Sequence, residues 1–82
     1  MSTKGKIKRY ILKNFLFTDD QDAIKDDESF LQQDIIDSTG ILEVISFLED
    51  EFGISVDDEE MIPENLDSID NLVTFVTSKS KN

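Results

Sequence analysis

Apolar residues recur at helical spacing in three stretches of this chain, and polar runs separate them. From Lys4 to about Phe17, Ile7, Tyr10, Ile11 and Phe15 share one face while bases occupy the other, which predicts a first helix. After Ser38, Ile41, Leu42, Val44, Ile45, Leu48 and Phe52 form a wide apolar stripe opposite Glu43, Ser46, Glu49 and Asp50, and Gly53 supplies a stop. The third stretch follows Asp67-Ser68, where Ile69, Leu72, Val73 and Val76, with Phe75 beside them, make the inner face of a last helix.

The segments between are read from their polarity and their start and stop signals. Thr18 to Ser29 contains only Ala23 and Ile24 as apolar residues, too few to hold a helix against a core, and is expected to be a long loop. Ser29-Phe30-Leu31-Gln32 fits a capping pattern that starts one helical turn, and Ile35-Ile36 is expected to pin the loop to the core. Ser55-Val56-Asp57-Asp58 is a start signal, and the run from it to Ile62 ends before Pro63, a helix of two turns at most. The expected fold is all-α, a small four-helix bundle with three main helices, a short third helix and a long loop between helices one and two. Residues 1–82 make a single domain, with fraying expected at 1–3 and 78–82.

Charge adds an asymmetry to that picture. All nineteen acids lie between Asp19 and Asp70, where Lys25 is the one base, so the body carries −18 within a net charge of −11. Five of the eight bases (Lys4, Lys6, Lys8, Arg9, Lys13) sit in the first thirteen residues. A field of that sign repels nucleic acid and anionic lipid and speeds encounter with basic protein surfaces. No apolar run approaches the length of a membrane span, and Lys13 and Asn14 interrupt the apolar start where a signal peptide would be continuous. The expectation is a soluble, monomeric, cytoplasmic protein.

The chain has neither His nor Cys, so it lacks a thiol nucleophile, a neutral-pH imidazole base and soft metal ligands. No catalytic residue and no metal site is expected. Asp19 to Glu28 does not fit a calcium loop, because Lys25 stands where an EF-hand needs Gly. What remains are two Asp-Ser pairs, Asp37-Ser38 and Asp67-Ser68, each standing before a helix where either residue could cap free backbone N–H groups. Ser38 alone follows a long loop and precedes an extended acidic amphipathic helix.

Asp37-Ser38, the acidic helix after it and its close at Glu49-Asp50-Glu51-Phe52-Gly53-Ile54 resemble the acyl carrier protein family, whose attachment motif is Asp-Ser followed by such a helix. The resemblance covers nearly the whole chain, including the long first loop and the short third helix. It implies that Ser38 is esterified with 4′-phosphopantetheine from coenzyme A, and that acyl or aminoacyl groups ride as thioesters on that arm. Asp37 would help to hold Mg²⁺ while a phosphopantetheinyl transferase attaches it. A phosphodiester on Ser38 would lie at the positive end of the second helix, where the dipole favours an anion. The family's partners are enzymes with basic surfaces, which the resemblance brings to Thr39, Leu42, Glu43, Ser46, Glu49 and Asp50.

The chain departs from the common fatty-acid carriers at Thr39 and Gly40, where those place Leu or Met and then an acid, and at Ser46, usually apolar. Asp-Ser-Thr-Gly resembles specialised free-standing carriers served by a dedicated adenylating ligase, in fatty-acid-related, specialised lipid or secondary metabolism. Gly40 costs about 1 kcal/mol against Ala in a helix interior, less in a first turn, and is expected to loosen the segment around Ser38. The competing reading is a small acidic helical inhibitor, similar to an immunity protein, which would bind without a prosthetic group. Its hot spots would be exposed aromatics, and Tyr10 is the lone candidate.

Overall fold

The computed structural model describes residues 2–79 and, at Ser38, the backbone alone; the three periodic stretches are helices, and the described residues contain no strand. Helix α1 (Thr3–Ile11) starts where Ser2 Oγ accepts the Gly5 N–H at 3.0 Å. It widens into a π-helical turn over Leu12–Leu16 and stops at Phe17, whose φ of 55° is left-handed. The wide turn shifts the helical phase. Ile7, Ile11 and Leu12 are buried, Tyr10 and Phe15 are half-buried, and Phe17 is 84% exposed. Among the described residues the exposed aromatic is therefore Phe17, and not Tyr10.

Helix α2 (Ser38–Phe52) is capped by Asp37, whose Oδ1 accepts the Gly40 N–H at 2.8 Å, and ends at Gly53 with φ 65°. Its stripe buries Val44, Ile45 and Leu48, half-buries Ile41 and Phe52, and leaves Leu42 58% exposed, against the inward position that spacing suggests. The short helix differs from expectation. Asp58–Glu60 forms only a 3₁₀ turn, and α3 (Pro63–Leu66) begins at Pro63 instead of ending before it. Proline lacks an N–H that a first helical residue would leave unpaired, and its fixed φ suits that position, so it opens this helix. The 3₁₀ turn starts at Asp57, whose N–H donates to Glu60 Oε1 at 3.0 Å, and not at Ser55.

Helix α4 (Ile69–Lys79) starts at Ser68, whose Oγ accepts the Asn71 N–H at 3.0 Å, and buries Ile69, Leu72, Phe75 and Val76. The first helix begins at Thr3 and the last ends at Lys79; of the ends expected to fray, Met1 and 80–82 lie outside the described residues. Lys79 Nζ holds Glu60 Oε1 at 2.8 Å, which ties the end of α4 to the 3₁₀ turn.

The long loop between α1 and α2 is pinned at more points than its polarity suggests. Ile24, Phe30 and Ile36 each expose 2% or less of their surface, so the loop supplies core plugs. Its first part contains a 3₁₀ turn at Gln21–Ala23, opened by Asp20 Oδ1 accepting the Asp22 N–H at 2.9 Å. The Ser29 capping pattern forms one turn, with Ser29 Oγ accepting the Gln32 N–H at 3.2 Å. Asp26 joins three elements: its carboxylate pairs with Lys4 and, at 3.0 Å, with Lys8 of α1, and its carbonyl accepts the Asp70 N–H of α4 at 2.9 Å. No helix among the described residues is long and apolar enough to cross a membrane.

Candidate functional site

The two Asp-Ser pairs separate clearly. In the second, Ser68 is 5% exposed and caps α4. Asp67 accepts a hydrogen bond from the Ser29 hydroxyl on one carboxylate oxygen and from the Leu31 N–H, at 3.0 Å, on the other, while its carbonyl accepts the Phe30 N–H at 2.8 Å. Both residues are committed to holding the loop and the last helix. In the first pair the acid makes the cap, and Ser38 is the first helical residue, at the N-terminus of a fifteen-residue helix. Asp37 is exposed, so the carboxylate that caps the helix also meets solvent.

Gly40 is buried, and its surroundings correct the expectation of a loose first turn. A Cβ built there would lie 2.9 Å from Ile36 Cγ2, 3.0 Å from Phe15 Cε1 and 3.4 Å from Asp37 Oδ1. The first turn of α2 is thus close-packed by the segment before it and by the π-helical turn of α1. Phe15 lies twenty-three residues before Ser38 in the sequence, and the fold brings its ring against the first turn of α2.

Two grooves flank α2. One, of about 310 Å³, is lined by Leu31 of the loop, Ile41 and Leu42 of α2, and Met61, Ile62, Pro63 and Leu66 in and before α3, with Asp67 at its edge. Leu31, Leu42 and Ile62 are 48%, 58% and 42% exposed, so this groove opens to solvent through apolar side chains. Of its lining, Leu42 was legible as a site residue from sequence, but Leu31 and Ile62 carry no signal that sets them apart.

The other groove, of about 530 Å³, lies between α1 and α2 and brings together Tyr10, Asn14, Glu43, Ser46, Phe47, Asp50 and Glu51. Tyr10 stacks on Phe47 with centroids 4.0 Å apart and donates its hydroxyl to the Glu43 carbonyl at 3.2 Å. Burial first, and the Glu43 charge second, raise the Tyr10 pKa above its ordinary value.

The expected docking residues divide between these surroundings. Thr39, Leu42, Glu43, Ser46 and Asp50 are all exposed. Glu49 is half-buried and turns back, its Oε2 accepting the Val56 N–H at 2.9 Å, so it fastens the chain beyond α2 to the helix. Glu51 meets Lys6 at 3.5 Å. Elsewhere, hydrogen bonding from Lys4 and then Lys8 holds the Asp26 carboxyl below its usual range. Lys79, with the Asp57 N–H, does the same for Glu60.

No protein-family model matches the chain. An acyl carrier protein of Campylobacter hominis is 36% identical to it over 61 residues, which make up 74% of this chain and 75% of that protein.

Proposed function

The chain belongs to the acyl carrier protein family, and we propose that it carries acyl or aminoacyl groups as thioesters on a 4′-phosphopantetheine arm esterified to Ser38. It is a carrier and not a catalyst: the arm brings the reactive thiol, and the protein supplies presentation and recognition. The observation that carries the assignment to Ser38 is the division of labour between the two Asp-Ser pairs. Ser68 is buried and spent on a cap, whereas α2 takes its cap from Asp37 and does not need Ser38 for it. The helix dipole favours a phosphodiester at that end. Asp37, exposed beside it, is the residue to meet Mg²⁺ when the transferase acts.

An apolar cargo is supported by the groove of Ile41, Leu42, Met61, Ile62 and Leu66, which begins one turn of helix from the attachment residue. The pathway is fatty-acid-related or specialised lipid or secondary metabolism, with loading by a dedicated adenylating ligase. Support for a dedicated partner comes from the turn after Ser38, where Thr39, Gly40, Ile41 and Leu42 carry no charge, and the first acid of α2 is Glu43. Basic partner surfaces would meet Glu43 and Asp50 there, with Thr39, Leu42 and Ser46 between, and Glu49 at the edge. In the cytoplasm a phosphopantetheinyl transferase is the first of these partners. The test is intact mass after incubation with coenzyme A, Mg²⁺ and a broad-specificity transferase. Ser38→Ala should stay unmodified and Ser68→Ala should be modified; the reverse pattern overturns the assignment.

A further inference from the structure

We propose that Gly40 is a positioning residue for Ser38: by lacking a Cβ, it lets Phe15 and Ile36 pack directly on the first turn of α2 and so fixes the backbone from which the arm is attached. This rests on the reading of Ser38 as the attachment residue and adds a reason for the glycine two residues beyond it. Gly40 is not needed for its own backbone conformation, because it lies inside a helix and its positive-φ alternative is not used. Space is what it provides. A Cβ would meet Ile36 Cγ2 at 2.9 Å and Phe15 Cε1 at 3.0 Å, both closer than such contacts normally run.

The two neighbours differ in how they can give way. Phe15 is half-buried and packs edge-on against Tyr10 with ring centroids 6.0 Å apart, and its Cε1 lies at the far end of a rotatable side chain. Ile36 exposes only 2% of its surface, and Cγ2 is attached directly to its Cβ, so the methyl moves only if χ1 leaves its rotamer or the backbone at residue 36 shifts. Asp37 and Ser38 follow at once in the chain. Displacement at Ile36 therefore reaches the cap and the attachment residue, while the exposed acids Glu43 and Asp50 further along α2 stay where they are. The nucleophile would be misplaced in a complex that still forms, and small misplacements of a reacting group cost rate more than binding.

The experiment compares wild type, Gly40→Ala, Ile36→Leu and the double variant as substrates for a broad-specificity phosphopantetheinyl transferase with coenzyme A and Mg²⁺. Circular dichroism at the assay temperature establishes that each chain is folded. Gly40→Ala should lose about tenfold in kcat with KM within about twofold. Leucine is not branched at Cβ and lacks the Cγ2 methyl that crowds the added Cβ, so the double variant should recover to within about threefold of Ile36→Leu alone. A folded Gly40→Ala chain modified at the wild-type kcat overturns the positioning role, as does a loss confined to KM or one that Ile36→Leu deepens. If wild type itself is not modified at Ser38, the attachment reading fails, and the positioning role fails with it.

Discussion

Asp67→Ala is expected to lower the melting temperature by about 8–16 °C. The carboxylate takes hydrogen bonds from the Ser29 hydroxyl and the Leu31 N–H, and through them it holds Phe30, 0% exposed, in the core. A hydrogen bond to a charged group contributes about 1.5–3 kcal/mol. Asp67 and Ser29 are half-buried and Leu31 is exposed, so about 1 kcal/mol for each bond, and about 2 kcal/mol in all, is the reasonable figure. The Phe30 N–H keeps its bond to the Asp67 carbonyl in the variant, which prevents a larger loss. For a domain of this size 1 kcal/mol moves the melting temperature by about 4–8 °C, hence the range. Thermal unfolding followed by far-ultraviolet circular dichroism at neutral pH measures it, with Asp67→Asn, which keeps one carbonyl acceptor, falling between. A shift under about 2 °C for Asp67→Ala would refute the reasoning that this acid clamps the loop.

The two serines should part in stability as well as in modification. Ser68→Ala removes a cap and should cost about 1 kcal/mol, whereas Ser38→Ala leaves the Asp37 to Gly40 bond in place and should change stability by less than about 0.5 kcal/mol; equal costs in a urea titration would contradict this. Asp26 has a carboxyl held below its ordinary pKa by Lys4 and then Lys8, so its pairing stabilises the fold above the unfolded value and is lost as pH falls through the folded one. Asp26→Asn should therefore melt below wild type at pH 7 and converge with it on acidification below about pH 4. A gap unchanged at acid pH would show that the ion pairs contribute nothing. Raising ionic strength until the Debye length falls to about 8 Å should raise the melting temperature, because the −18 body repels itself. A fall would mean that the bridges from Lys4, Lys6, Lys8 and Lys79 outweigh that repulsion.

The helices were legible because their apolar positions repeat at 3.6 residues, and α2 and α4 start at the residues their capping patterns mark. What the periodicity could not carry was the π-helical turn at Leu12–Leu16. Leu12, its first residue, is buried, Phe17 just beyond it is exposed, and Phe15 within it lies against Gly40. Pro63 was read as a stop when it is a start, since proline fits both sides of a boundary and only the surrounding packing decides between them. At the candidate site, Asp37 and Ser38 stood out by motif and Glu43, Ser46 and Asp50 by spacing, whereas the exposure of Leu42 runs against its place in the apolar stripe. The Glu49 bond to the Val56 N–H and the Asp67 clamp were hidden, because each joins residues whose proximity arises only from the tertiary fold. Gly40 misled for a related reason: helix propensity counts the entropy of a glycine, whereas its neighbours determine whether that glycine is slack or close-packed.

Peptide mapping of the chain after reaction with coenzyme A, Mg²⁺ and a phosphopantetheinyl transferase locates the arm on the sequence. The expected result is one phosphopantetheine group per chain, found on the peptide containing Asp37-Ser38 and assigned by fragmentation to Ser38. A chain that stays unmodified, or one whose group maps to Ser68 or any other hydroxyl, would contradict the account.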